Sequence, residues 1–355
     1  MFKNRRVLMT LVAIPALLAF SPRRAELAFS PAEGTTIRKT ITTTAEVALD
    51  EMSLVMDGQE MDQAAGMELD MTESQTLVVV DTYVSMANGR PKVLRRTFEE
   101  LIDESTQSMS MPQPMGDTET DSAGSSELEG KTVVFTLDSE SGDYVASFPE
   151  DEKADEALLQ GLEEDLDLRG FLPRGEVAVG ESWDVEAESV RHILAPGGNL
   201  HIIDESTDQG PMGGGPEPSM SEMLGELSGR VTCTLEAMRE EEGTSLAVIK
   251  VLIEVDSTND LSEFVAEQLA NAEKPEGMDM EMDVESMDIE FQYEGEGEIL
   301  WDVKRGVLSK LLLNGEMTLI NDTAMTMTMM GQSQSFEQSM VFAGTSTTVF
   351  DYDVQ

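Results

Sequence analysis

Apolar and polar residues alternate at a period of two through most of this chain, a spacing that places successive side chains on opposite faces of a strand. The C-terminal part shows it most plainly. Met287, Ile289, Phe291 and Tyr293, then Ile299, Trp301 and Val303, alternate with polar residues as far as Lys304-Arg305-Gly306. Beyond that turn Leu311, Leu313, Met317 and Leu319 continue the alternation, followed by Met325, Met327 and Met329. A common parity across successive strands predicts one shared buried face holding Ile289, Phe291, Ile299, Trp301, Leu311, Leu313 and these last three methionines. Asp288, Glu290, Glu298 and Thr326 then face water.

Upstream, the β-branched run Thr35 to Met56 reads as one long or two short strands. Asn88-Gly89 supplies the positive φ angles of a tight hairpin between Thr76–Met86 and Lys92–Ile102. Ser141-Gly142-Asp143 suggests a second hairpin, and an acidic turn joins Arg230–Met238 to Thr244–Val255. The fold class is mainly β: a long curved antiparallel sheet, a half-barrel-like meander, with two or three short acidic helices and long flexible loops. Helices are expected over Asp151–Leu168, where Ala154, Leu158, Leu162 and Leu166 form a stripe, and over Leu261–Ala272, capped within Ser257–Asp260 and stopped by Pro275. Shorter ones are expected near Glu186–Leu194 and Ser219–Leu227. Ser105–Gly130 and Thr207–Pro218 read as loops. The domain reading is a signal peptide over 1–30, an N-terminal β part over 31–205 with a helical insertion near 151–168, a Gly/Pro-rich loop or linker over 206–218, and a C-terminal antiparallel part over 219–355 continuing the same sheet.

The first residues set the expected compartment. Lys3, Arg5 and Arg6 precede the apolar run Val7 to Phe20, the charged head and short core of a secretory signal. It falls short of the roughly 20 apolar residues a membrane span needs. Ala19-Phe20-Ser21 and Ala28-Phe29-Ser30 both have small residues at cleavage spacing, each followed by proline. Export to the periplasm or extracellular space of a bacterium follows, with membrane contact only through this segment; an uncleaved anchor is the competing reading. The single cysteine, Cys233, excludes an intramolecular disulfide and reads as a small buried side chain.

Charge narrows the partners. With 70 acidic against 23 basic residues and a formal net of -47, the chain repels nucleic acid and anionic lipid and favours cations or basic partners. A solvated acidic surface suited to a saline exterior explains the excess without a dedicated site.

Catalytic signatures do not stand out. There is no G-x-S-x-G elbow, no phosphate-binding P-loop and no G-x-G-x-x-G run, so neither an enzyme nor a cofactor is expected. Gly295-Glu296-Gly297 lies within strand sequence, where glycine marks a bend or bulge more often than a phosphate cradle. His192 and His201 flank Pro196-Gly197-Gly198. A hairpin there would oppose the two rings beside Asp204 as a partial metal site, whereas a helix ending at Leu194 would separate them. The 25 methionines are bunched, and thioethers such as Met325, Met327 and Met329 select Cu(I). Their alternation with threonine is equally that of a strand with an apolar, adaptable face. No acidic run fits a dedicated calcium loop.

Gly175–Val185 (GEVAVGESWDV) and Gly297–Gly315 (GEILWDVKRGVLSKLLLNG) resemble exported bacterial proteins of planctomycete type built on one long curved sheet. The second segment is also similar to strand pairs in lipoprotein-carrier half-barrels. The resemblance implies a fold and no catalytic residue; the acidity and long loops depart from the carriers. The expected function is that of an extracytoplasmic acidic binding or envelope-structural protein. The alternatives are a carrier of an apolar ligand in a concave groove and a secreted hydrolase using carboxylates.

Overall fold

The computed structural model describes residues 24–61, 67–111, 116–204, 218–241, 243–271, 280–329 and 332–355. The chain is mainly β. In order come β1 (Arg24–Glu26), β2 (Thr36–Met56), β3 (Gln59–Glu60), β4 (Glu68–Ala87), β5 (Arg90–Met111), β6 (Gly116–Ser125), β7 (Thr132–Leu137) and β8 (Tyr144–Ser147). They are followed by β9 (Glu176–Ala178), β10 (Ser182–Val185), α1 (Arg191–Leu194), β11 (Ile203–Asp204), α2 (Met220–Met223), β12 (Ser228–Glu241) and β13 (Thr244–Asp260). The chain then runs through α3 (Ser262–Asn271), β14 (Met280–Asp302), β15 (Val307–Met329) and β16 (Gln332–Val354).

One antiparallel sheet takes almost all of them, in the order β10-β12-β13-β14-β15-β16-β2-β4-β5-β6-β11. It does not close into a barrel. β2 and β16 pair in its middle, so the N- and C-terminal parts share one unbroken sheet. Its longest strands have 23 residues, about 75 Å at the usual rise per residue. Local chemistry sets the turns: Asn88 and Gly89 both take positive φ, 51° and 75°, as a tight β4–β5 hairpin requires.

The predicted C-terminal register holds. Ile299 opposes Leu311, Phe291 opposes Leu319, Met282 opposes Met327 and Met280 opposes Met329. Ile289, Phe291, Ile299, Trp301, Leu311 and Leu313 are buried on the inward face, while Met325 and Met327 are half-buried. The glycines of this region serve packing: Gly295 pairs with Gly315, and the Tyr293 ring lies across both, where an added Cβ would come within 2.7 Å and 2.3 Å of it. Cys233 is buried on the same face, its thiol pushed up to about 12 by desolvation.

Among the described residues, the insertions cover the inward face mainly at one end. Leu27, Phe29, Leu128, Leu166, Phe171 and Ile193 pack there against Ile37, Ile41, Tyr83, Phe98 and Trp301 as one core. Arg24 to Ser30, read from sequence as the end of the leader, belong to this fold: β1 pairs with β9. Phe29 packs edge-on to Tyr83 at 5.6 Å and to Trp301 at 6.5 Å, and the Ser30 N–H donates to the Gly306 carbonyl at 2.9 Å.

Two other expectations are corrected. Asp151–Leu168 is not a helix; it holds one 3-10 turn, Glu156–Leu159, and Gly161 and Leu168 take left-handed φ of 73° and 54° that no helix continues through. Within Ser105–Gly130, read as a loop, residues 105–111 are the end of β5 and Gly116–Ser125 are β6; only 126–130 of the described residues there form a turn. Of the two readings of Val190–Ile203, the structure has the helix that ends at Leu194 before Pro196, as α1, and not the hairpin. The expected helix over Leu261–Ala272 is α3, with the Ser262 N–H donating to Asp260 at 2.9 Å. The proposed linker 206–218 lies, but for Pro218, outside the described residues.

Candidate functional site

Chemistry concentrates where the insertions meet the sheet. Lys39 sits between Ile37 and Ile41 on β2, Asp81 between Val79 and Tyr83 on β4, and Arg96 between Leu94 and Phe98 on β5, all at the inward parity and fully buried. Asp81 receives both arms of the Arg96 guanidinium at 2.8 Å each. The Lys39 ammonium bridges Asp81 and Asp167, again at 2.8 Å each, and lies over the rings of Tyr83 and Tyr352. Burial alone would raise the Asp81 carboxyl; Arg96 and Lys39 outweigh it and hold the group below its ordinary value.

Segment 163–169 is fastened onto this cluster through its backbone. Arg96 donates to the carbonyls of Glu163 and Glu164 at 2.9 and 2.8 Å. The Tyr83 hydroxyl reaches both oxygens of Asp167 at 2.7 and 2.8 Å, and the Tyr352 hydroxyl donates to the Leu166 carbonyl. Arg169 pairs with Glu164 and, at 3.2 Å, with Asp165. Glu164 is 4% exposed and its second carboxyl oxygen, Oε1, has no hydrogen-bond partner. Desolvation raises this carboxyl to about 7, Arg169 opposing and Asp165 and Asp167 adding to the rise.

The histidines do not form a joint site. His192 Nδ1 lies 2.9 Å from Glu163 Oε2 at an angle poor for a hydrogen bond. Desolvation would lower this imidazole, but Glu163 and Asp165 outweigh it and the group is raised. His201, at a left-handed φ of 49°, has Nε2 2.9 Å from the Gln160 carbonyl. Among the described residues no group of three or more His, Cys, Asp or Glu is arranged to hold a metal ion. The side chains of Asp204 and Met329 lie outside the described residues.

The other end of the sheet is open. Val284, Met325, Phe336 and Met56 form one row across β14, β15, β16 and β2, and Ile289, Asn321, Met340 and Met52 form another. These rows continue the inward parity of the core, yet of these residues only Ile289 is buried. Among the described elements outside the sheet, α3 alone packs extensively here, against β14. The opposite face carries Asp288, Asp322, Thr326 and Glu337. Met325 thus sits between Val284 and Phe336, and Met327 between Met282 and Gln334, on a mainly apolar face into which Asn321, Thr323 and Gln338 also enter. A surface cleft of about 390 Å³ at this end is lined by Glu68, Asp70, Asp117 and Glu119 with serines between them.

Sequence reasoning missed the buried ionic network. The signal was present: a lysine, an aspartate and an arginine each stand at the inward parity of an otherwise apolar strand, where a charge requires a buried partner.

No helix among the described residues is long and apolar enough to cross a membrane, which says nothing about crossing by strands. No protein-family model matches the chain, and no curated protein does. Among solved structures it is similar to the outer membrane protein OprG from Pseudomonas aeruginosa, at 8% identity and a TM-score of 0.21, over 90% of this chain and 98% of that one, a likeness too slight to carry an argument.

Proposed function

We propose that this is an exported binding or structural protein of the bacterial envelope, and that its working surface is the open apolar face at the far end of the sheet. The observation that carries the reading is the continuation of the inward apolar rows, Val284-Met325-Phe336-Met56 among them, beyond the reach of the covering insertions. A contiguous apolar face of that kind marks an interaction surface in a soluble protein. Methionine suits such a surface because its flexible thioether adapts to a partner's shape. Acidic residues on the opposite face keep the protein soluble and discourage nucleic acid and anionic lipid. The charged head and apolar run before residue 21 support export.

The carrier reading keeps one foothold. At the covered end the chain itself fills the inward face with Leu128, Phe171 and Ile193, so an apolar ligand would have to bind at the open end. The test is fluorescence of an apolar dye such as bis-ANS with the full chain. Binding is expected, and the double variant Met325→Asp/Met327→Asp should lose it with an unchanged melting temperature. Dye binding that survives the double variant would overturn the assignment of the face.

A further inference from the structure

We propose that segment 163–169 is a proton-operated clasp over the covered half of the sheet, seated while Glu164 and His192 each hold a proton and loosened once both are lost. The argument starts from charge. Five carboxylates converge here: Asp81 from β4, and Glu163, Glu164, Asp165 and Asp167 from the segment itself. Three fixed cations face them: Lys39 from β2, Arg96 from β5 and Arg169. The phenols of Tyr83, Tyr352 and Tyr144 complete the surroundings, all shifted upward by burial and so uncharged. Arg90 lies over the Tyr144 ring, and Arg191, beside His192, is turned to Glu188. Two carboxylates are left without a fixed counter-charge, and protons on His192 and Glu164 balance the cluster.

Geometry singles out the same two groups. Glu164 has one oxygen on Arg169 and the other buried without a partner; as an anion that oxygen is desolvated with nothing to receive it, and as an acid it need not be charged. His192 stands against Glu163 at 2.9 Å, while Lys39 is engaged with Asp81 and Asp167. Deprotonating both leaves buried negative charge beside Asp165 and Asp167, which is relieved if the segment lifts into water. Leu166, Leu168 and Phe171 would lift with it and bare the apolar floor they cover.

The linkage has one sign for both groups. Glu164 titrates at about 7 in the seated state against an ordinary 4.5, so the stability it contributes is full below 4.5 and is lost as pH rises through 7. His192 is also raised, and its contribution is lost as pH climbs past its ordinary 6.5. The Glu164 shift alone corresponds to about a tenfold rise in the opening equilibrium between pH 6 and pH 9.

Hydrogen exchange of the full chain, followed by mass spectrometry and corrected for the intrinsic pH dependence of exchange, tests this. Peptides spanning 163–169 should lose at least about tenfold in protection from pH 6 to pH 9, and at every pH should open far more readily than those of β15 near Leu311, which exchange only through global unfolding. Glu164→Gln, permanently neutral, should lose the part of the pH dependence that Glu164 supplies and keep only the part due to His192, and His192→Gln should keep the Glu164 part. Equal protection of 163–169 at both pH values, or a Glu164→Gln protein as pH-sensitive as the parent, would overturn the proposal. Should the glutamine variant not fold, the wild-type profile alone decides.

Discussion

The two ends of the same strands behave differently. On β15, Leu311 and Leu313 are fully buried, whereas Met325 and Met327, at the same parity on the same strand, are only half-buried. On β2, Ile37, Lys39 and Ile41 are buried and Met52, Leu54 and Met56 are not. Backbone pairing runs through both ends, with a single bulge of β2 opposite Val341 and Phe342, so hydrogen bonding does not distinguish them. What differs is the layer above. At one end the insertions supply a second layer and a buried ionic fastening; at the other, among the described residues, little beyond α3 lies over the sheet. The comparison teaches that alternation specifies a face, and that only a covering layer turns a face into a core.

If that is right, identical substitutions should have unequal effects at the two ends. The largest losses belong to the covered end. Trp301→Ala removes a side chain that is 1% exposed and should cost about 3–5 kcal/mol in denaturant unfolding. Arg96→Met should cost a similar 3–5 kcal/mol or so, because it leaves the buried Asp81 with Lys39 as its only cation, takes the Arg96 donor from the Glu163 carbonyl and leaves the Glu164 carbonyl with the Leu166 N–H alone. The next pair sharpens the contrast within one strand: Leu313→Ala should cost about 2–5 kcal/mol, while Met327→Ala should cost under about 1 kcal/mol. Equal losses at the two positions would mean that the open face is covered after all. Smallest of all, Glu298→Ala touches only a partly exposed pair with Arg239, 3.7 Å apart, and should stay within about 0.5 kcal/mol of the parent.

Much of the sheet was legible because a period-two pattern depends on neither partner nor context. The parity of β14 and β15 could be read directly, and Asn88-Gly89 announced its hairpin. The failures lie where tertiary contacts override local pattern. Leu158, Leu162 and Leu166 look like a helical stripe, but the backbone around them is claimed by Arg96, and Gly161 and Leu168 break the helix with left-handed φ. Ser105–Gly130 looks too polar for a strand, yet β5 and β6 are joined there by rungs of side-chain hydrogen bonds: Ser105 to Ser122 at 2.7 Å, Thr106 to Asp121 at 2.9 Å and Ser110 to Asp117 at 2.8 Å. Of the candidate site, the parity of the methionines could be read from alternation, but they were expected on a buried face; Met325 and Met327 are half-buried because little among the described residues lies over them. The ionic network could not be read, because Asp167 and Arg169 come from a segment whose place on the sheet no local rule specifies; Lys39, Asp81 and Arg96 were visible only as charges at inward positions.

The central claim, that one sheet has a covered end and an open end, is tested most directly by amide hydrogen exchange along β15 at a single pH near 6. Amides around Leu311 and Leu313 should exchange only through global unfolding, tracking the stability measured in denaturant, and those around Thr323 to Thr328 should exchange orders of magnitude faster through local opening. Uniform protection from one end of the strand to the other would contradict the account.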